Sequence, residues 1–177
     1  VLWSLPTGLY VLGSRSGVRR NLMTCSWVMQ VASAPKLVAV AVERSSVTLP
    51  LIEESGWFTI SILGREDRAL VRRFVKPVED VVLDDAGRAV RIQDVPVVEV
   101  EGGVPRLEAA VGWLACAVRS PSDPDTGGGT DGAASHRLIV GEVMDVGGPV
   151  ADEQLGGGDA GRPEVLRMED TRMNYGG

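Results

Sequence analysis

N-L-M-T-C-S-W at residues 21–27, V-A-S-A-P-K-L-V-A-V-A-V at 31–42, R-S-S-V-T at 44–48 and L-I-E-E-S-G-W-F-T-I-S-I-L at 51–63 form one nearly continuous signal. The run at 37–42 is wholly apolar, too short for a bilayer and suited to a strand buried on both faces. Hydroxyl residues at Ser45, Ser46 and Thr48, Pro50 just inside and Gly56 at the end describe a short helix. Residues 57–63 are β-rich and partly alternating, so a second strand follows.

Residues 7–12 are a strand candidate, and R-S-G-V-R-R at 15–20 is a polar turn around Gly17 that predicts a hairpin. Residues 65–74 place Leu70, Val71 and Phe74 at helical spacing, and Pro77 stops that helix. Residues 113–118 and 137–146 read as strands. Of 22 glycines, only Gly8, Gly13, Gly17, Gly56, Gly64 and Gly87 precede residue 100. The remainder gather in loops: residues 120–135 (S-P-S-D-P-D-T-G-G-G-T-D-G-A-A-S) are predicted to be a flexible Gly/Asp-rich loop, and L-G-G-G-D-A-G opens a C-terminal extension over 155–177. That extension reads as a solvated tail, with closure over a partner subunit's cofactor as the other option. The whole of 1–177 is expected to be one domain, a small β-barrel with two short helices.

The composition removes whole classes of chemistry. His136 is the sole histidine, so an HExxH site or a three-histidine metal site is impossible and no metal is expected. Cys25 and Cys116 form neither CxxC nor a disulfide framework, which suits a reducing cytoplasm. A net charge of −6 disfavours nucleic acid. No membrane span and no signal-peptide pattern are visible, so a cytoplasmic location is expected. Gly127, Gly129 and Gly132 satisfy GxGxxG but lack the strand before and helix after that a dinucleotide fold requires, so they belong to the loop. Difficult chemistry here calls for a borrowed cofactor.

The motifs at 21–63, in this order and spacing, resemble the flavin reductase-like family, whose pattern runs N-x-x-T-x-S-W/F, V-S-x-x-P-P-L-V-x-V-x-V, a Ser/Thr-rich turn and I-x-x-S-G-x-F-x-V-N-V-L. F-V-K-P at 74–77 and the opening P-T-G-L-Y-V-L are similar to the version fused at the C-terminus of diflavin flavoproteins. S-H-R-L-I-V-G-E-V at 135–143 matches the family's G-D-H preceding I-x-x-G-x-V, apart from Ser135. The resemblance spans about residues 5–146. It implies a mainly β (α+β) fold, a split β-barrel of Greek-key type with short flanking helices. It also implies FMN, or FAD in its place, reduced by hydride from NAD(P)H, a homodimer with the cofactor at the interface, and a monooxygenase partner for the reduced flavin. A non-enzymatic flavin or tetrapyrrole carrier on the same barrel is the alternative.

A flavin needs a flat apolar wall with hydrogen bonds around the ring, and oxyanion donors for phosphate. Asn21, Thr24 and Ser26 offer small polar groups, and the main chain through Met23, Cys25 and Trp27 offers N–H donors. Ser45, Ser46 and Thr48 at a helix start, with Arg44, are the phosphate candidates. The resemblance adds Lys76 near the cofactor and His136 as the catalytic, nicotinamide-facing residue. Plainer roles stand beside each: a helix cap for the hydroxyl cluster, strand hydroxyls for Thr24 and Ser26, a packed thiol for Cys25, core or interface for Trp27, a helix end for Lys76, a polar rim for His136.

Overall fold

The computed structural model describes residues 5–122, 134–148 and 163–171. β1 (Tyr10–Ser16) and β2 (Arg19–Cys25) form the expected hairpin, with Gly17 at a φ of 57° supplying the left-handed turn residue. β3 (Val28–Ser33) and β4 (Lys36–Glu43) form a second hairpin. The run at 37–42 is indeed the heart of β4, with Val40 and Val42 fully buried. Helix α1 (Thr48–Ser55) follows and ends on Gly56, whose φ is 72°. β5 (Trp57–Ile62) comes next, then a 3-10 turn (Arg65–Asp67) leading into α2 (Arg68–Arg73). Four short strands, β6 (Val81–Leu83), β7 (Ala89–Ile92), β8 (Val95–Glu99) and β9 (Pro105–Leu107), precede the long pair β10 (Gly112–Ser122) and β11 (His136–Gly147).

Every strand pairing is antiparallel. Seven strands form one sheet in the order β2-β1-β5-β10-β11-β4-β3, and β6-β7-β8-β9 form a second. The chain therefore carries β3 and β4 to the far edge of the large sheet, and α1 returns it across to β5 beside β1. Hydroxyls, not ladder bonds, join β9 of the small sheet to β5: Thr59 Oγ1 donates to Pro105 O at 2.6 Å, and Ser61 Oγ accepts from Leu107 N–H at 3.0 Å. Gly13 makes this approach possible, because a Cβ there would lie 2.0 Å from Pro105 O. The mainly β class with short helices is thus observed, as two sheets whose hydrogen-bonded ladders do not run continuously into one another.

Two hydrophobic clusters fill the interior. One gathers Val11, Leu63, Phe74, Ile92, Leu107 and Leu166 under the small sheet. The other packs Val40, Val42, Ile52, Phe58, Ile60 and Ile139 beneath α1 and the large sheet. Burying each such side chain is worth roughly 1.5–3 kcal/mol. Beside the first cluster lies a buried ion pair, Arg20 Nε to Glu99 Oε1 at 2.7 Å, with the two side chains 2% and 4% exposed. Its remaining polar atoms are satisfied as well. Arg20 also donates to Val18 O and Gly87 O, and Glu99 accepts from Ala89 N–H and Arg15.

Two expectations need correction. Ser120, Pro121 and Ser122 pair with Val140, Ile139 and Leu138, so β10 runs three residues into the stretch read as a loop. Residues 123–133 of that loop lie outside the described residues, as do 155–162 and 172–177 of the C-terminal extension. The described part, 163–171, is no solvated tail. It lies between the N-terminal segment and the end of β5: Leu9 N–H donates to Leu166 O, Leu166 N–H to Leu63 O, and Met168 N–H to Thr7 O. Leu166 is 1% exposed and plugs the first cluster. Val165, Leu166 and Met168, apolar residues among charged neighbours, were the signal for this strap.

Candidate functional site

Only Ser26 and Trp27 link β2 to β3, the two edge strands of the large sheet, so its edges approach each other here. The side chains there open a cleft of about 280 Å³, lined by residues 23–27, Ala41 and Glu43 of β4, Val75 and His136. Residues 23–27 and His136 are more than a hundred positions apart, yet they share one wall. β4 brings them together, because Trp27 O accepts from Ala41 N–H on one side of it and His136 pairs with Glu43 on the other.

Trp27 is 42% exposed and is therefore not a core residue. Its ring lies 4.7 Å from that of His136 at an interplanar angle of 54°. Ser135 Oγ is 2.9 Å from His136 Nδ1, which fixes the imidazole from one side. Among the described residues Nε2 meets no hydrogen-bond partner, so that nitrogen remains for a ligand. Cys25 is part of the second hydrophobic cluster, and burial pushes its thiol up to about 12, far from a reactive thiolate. Met23 and Ser26 are half-buried in the cleft wall.

Asn21 and Thr24 direct their side chains into the protein. Asn21 Nδ2 donates to Thr48 Oγ1 at 2.8 Å, and its Oδ1 accepts from Val78 N–H at 3.0 Å. Thr24 Oγ1 donates to Val71 O at 2.8 Å, and its N–H donates to Phe74 O at 2.9 Å. These two residues pin the start of α1 and the segment after α2 onto β2. They hold the cleft's walls rather than forming its surface, apart from the edge that Thr24 contributes. Thr48 is fully buried against Asn21, so its hydroxyl does not face solvent.

The other phosphate candidates lie on the turn directly after Glu43. Ser45 is exposed and Ser46 half-buried. Ser46 Oγ accepts from Leu49 N–H at 3.3 Å and so satisfies one free donor at the helix start, whose N-cap position is Val47. Arg44 is held by Ala134 and Ser135, its Nε donating to Ala134 O at 2.8 Å. Lys76 is exposed and lies outside the cleft; its neighbour Val75 reaches in instead. Ala41, Glu43 and Val75 were not foreseen as cleft residues. Glu43 is placed by strand register alone, which nothing local to residue 43 reveals.

The cleft suits a flat heteroaromatic group. It is half-open, near the lower end of ligand-pocket sizes. Met23, Trp27, Ala41 and Val75 supply apolar surface, and Ser26, Glu43 and His136 supply polar atoms at the rim. These groups fit a flavin ring, since Ser26 and His136 can donate to its edge and the Glu43 carboxylate can accept from it. No group of three or more His, Cys, Asp or Glu side chains among the described residues is placed to hold a metal ion. No described helix is long and apolar enough to cross a membrane.

Comparison with known proteins agrees with this chemistry. Residues 2–159 match the family model of the flavin reductase like domain. The chain is 32% identical over 141 residues to the reductase component of 4-hydroxyphenylacetate 3-monooxygenase from Thermus thermophilus, covering 79% of this chain and 76% of that protein. It is 30% identical over 151 residues to a flavin reductase (NADH) from Kitasatospora aureofaciens, covering 84% and 69%. Among solved structures, the NADH:FAD oxidoreductase of Streptomyces globisporus C-1027 in complex with NAD and FAD fragments superposes with a TM-score of 0.62 at 25% identity. That match covers 82% of this chain and 77% of the other.

Proposed function

The chain belongs to the flavin reductase-like family, and from that membership we propose that it is an NAD(P)H-dependent flavin oxidoreductase whose cleft holds FMN or FAD. The observation that carries the reading is the convergence of residues 23–27 and His136 on one cleft. When bound, the flavin supplies the hydride-accepting ring; the protein supplies binding and orientation. Met23, Trp27 and Val75 exclude water from one face, and the chain through residues 23–27 presents polar groups to the ring edge. Arg44, Ser45 and Ser46 receive the phosphate, while Asn21, Thr24 and Thr48 keep that geometry rigid. His136, held by Ser135 and beside Trp27, would offer Nε2 to a bound nicotinamide and so help to orient it.

The protein acts as a homodimer. Trp27 just before β3 and Met29 and Val31 on it are 42%, 64% and 45% exposed, an apolar patch at the sheet edge beside the cleft. A second subunit would cover that patch and complete the open side of the site. The match to a monooxygenase reductase component supports delivery of reduced flavin to a monooxygenase. The buried, unbridged Cys25 and Cys116 suit a cytoplasmic location.

The test is spectroscopic. Purified protein titrated with FMN or FAD should quench flavin fluorescence, and anaerobic NADH or NADPH should bleach the bound flavin. A protein that takes up neither flavin overturns the reading, and a yellow protein that neither dinucleotide bleaches makes it a carrier instead. His136→Ala should slow reduction about tenfold or more while leaving flavin affinity near wild type. The reverse pattern would reassign that residue.

A further inference from the structure

The cleft is built around a carboxylate where its chemistry calls for positive charge. Val40 and Val42 of β4 are fully buried, so Ala41 and Glu43 alternate to the other face and into the cleft. Glu43 pairs with His136 across the β4–β11 ladder, so carboxylate and imidazole rise side by side. Nearby acids are engaged, Glu142 of β11 with Arg119 and Glu53 of α1 with Arg137. Among the described residues the Glu43 carboxylate meets no hydrogen-bond or salt-bridge partner. No described lysine or arginine lines the cleft to balance it. Arg44 gives its Nε to Ala134 O at 2.8 Å, and Lys76 lies beyond Val75. Burial pushes the Cys25 thiol up to about 12, so Glu43 and the His136 imidazole are the groups of this wall able to carry charge at neutral pH.

Reduction changes the charge of what the cleft holds. The nicotinamide gives up a hydride, two electrons and one proton, and is oxidised. The flavin takes both electrons and the proton and is reduced, so its ring gains one negative charge. A site shaped to keep that product would aim cations or N–H dipoles at the new charge. This site sets a carboxylate beside it. On the reading of the cleft as a flavin site, we propose that Glu43 makes the cleft hold oxidised flavin more tightly than reduced flavin, so that the reduced form leaves as a diffusible product. The oxidised ring is neutral and can donate an N–H to the carboxylate, whereas the reduced ring is repelled by it. Coupling is reciprocal: whatever weakens the reduced complex relative to the oxidised one lowers the potential of the bound flavin by the same free energy.

Full-length protein is loaded with FMN or FAD, and the two-electron midpoint potential of the bound flavin is measured anaerobically against reference dyes, beside that of free flavin. Fluorescence quenching gives the Kd of the oxidised form, and the potential then gives that of the reduced form. In the wild type the bound potential should lie below the free value. Glu43→Gln keeps an acceptor and loses the charge, so the ratio of oxidised to reduced Kd should rise about tenfold, a positive shift of about 30 mV. Glu43→Asp keeps the charge and should leave the potential near wild type. Glu43 is exposed, so neither change removes a packed side chain, and circular dichroism melts check the fold. A wild-type potential at or above that of free flavin overturns the proposal. So does a Glu43→Gln potential no higher than wild type, which includes an equal loss of affinity for both forms. An equal rise in Glu43→Asp overturns it too, because charge is then not the cause. All three results leave the flavin site standing. Wild-type protein that binds neither flavin overturns the cleft reading itself.

Discussion

The two halves of the interior are finished in different ways. The cluster under the small sheet is sealed by its own chain: the strap at 163–171 inserts Leu166, and the Arg20–Glu99 pair is satisfied on every side. The cluster beneath the large sheet ends in an open cleft and an exposed apolar edge at Trp27, Met29 and Val31. One region therefore spends its interactions on stability. The other leaves surface for ligand and partner, so damage to the two should separate cleanly into folding and binding defects.

Breaking the sealed side gives the largest effect. Glu99→Ala strands Arg20 in the interior and should cost about 3–5 kcal/mol of stability, read from denaturant unfolding. A cost below about 1 kcal/mol would show that the pair is not the anchor argued above. Leu166→Ala should cost roughly 3 kcal/mol through the cavity it leaves. It should also release the strap to proteases, with flavin affinity unchanged in the fraction that stays folded. On the open side, Trp27→Ala should barely move the melting temperature while weakening flavin binding about tenfold, near 1.4 kcal/mol. A folding defect of similar size to that of Leu166→Ala would erase the distinction between the two regions.

The smallest effect is acid sensitivity confined to the strap. The Arg167 N–H, together with the Arg65 and Arg68 guanidiniums, holds the Asp170 carboxyl below its ordinary value. Its contribution is therefore complete above the ordinary aspartate range and is lost as pH falls through the lowered folded value. Amide exchange at Leu166 and Met168, measured from pH 6 downward relative to the amides of β5, should become less protected at the acid end. Uniform loss of protection in both places would mean that the strap and the sheet open together.

Residues 7–20 and 37–63 were legible because proline, glycine and apolar period all point the same way there. Gly17 marks a hairpin, Gly56 ends a helix, and an apolar run makes a buried strand. The small sheet was not, since β6 and β9 hold three residues each and show no usable period. Within the site, the clustering of 23–27 follows from chain continuity. The inward roles of Asn21 and Thr24 do not, because their partners lie 27 to 57 residues away. A polar motif in a ligand-binding segment reads as ligand-binding until those distant carbonyls and amides are located. Lys76 shows how fine the placement is, since it lies one residue from Val75, the side chain that enters the cleft.

The buried thiols of Cys25 and Cys116 have a practical consequence. With burial holding both up to about 12, neither is a reactive thiolate in the closed protein. Their labelling therefore runs at the rate at which the structure breathes. Cys25 sits in the cleft wall and Cys116 deep in β10, so mass spectrometry of a timed iodoacetamide reaction provides two internal clocks. One reports how often the cleft wall loosens and the other how often the sheet itself opens. A ligand that fills the cleft should slow the first clock more than the second.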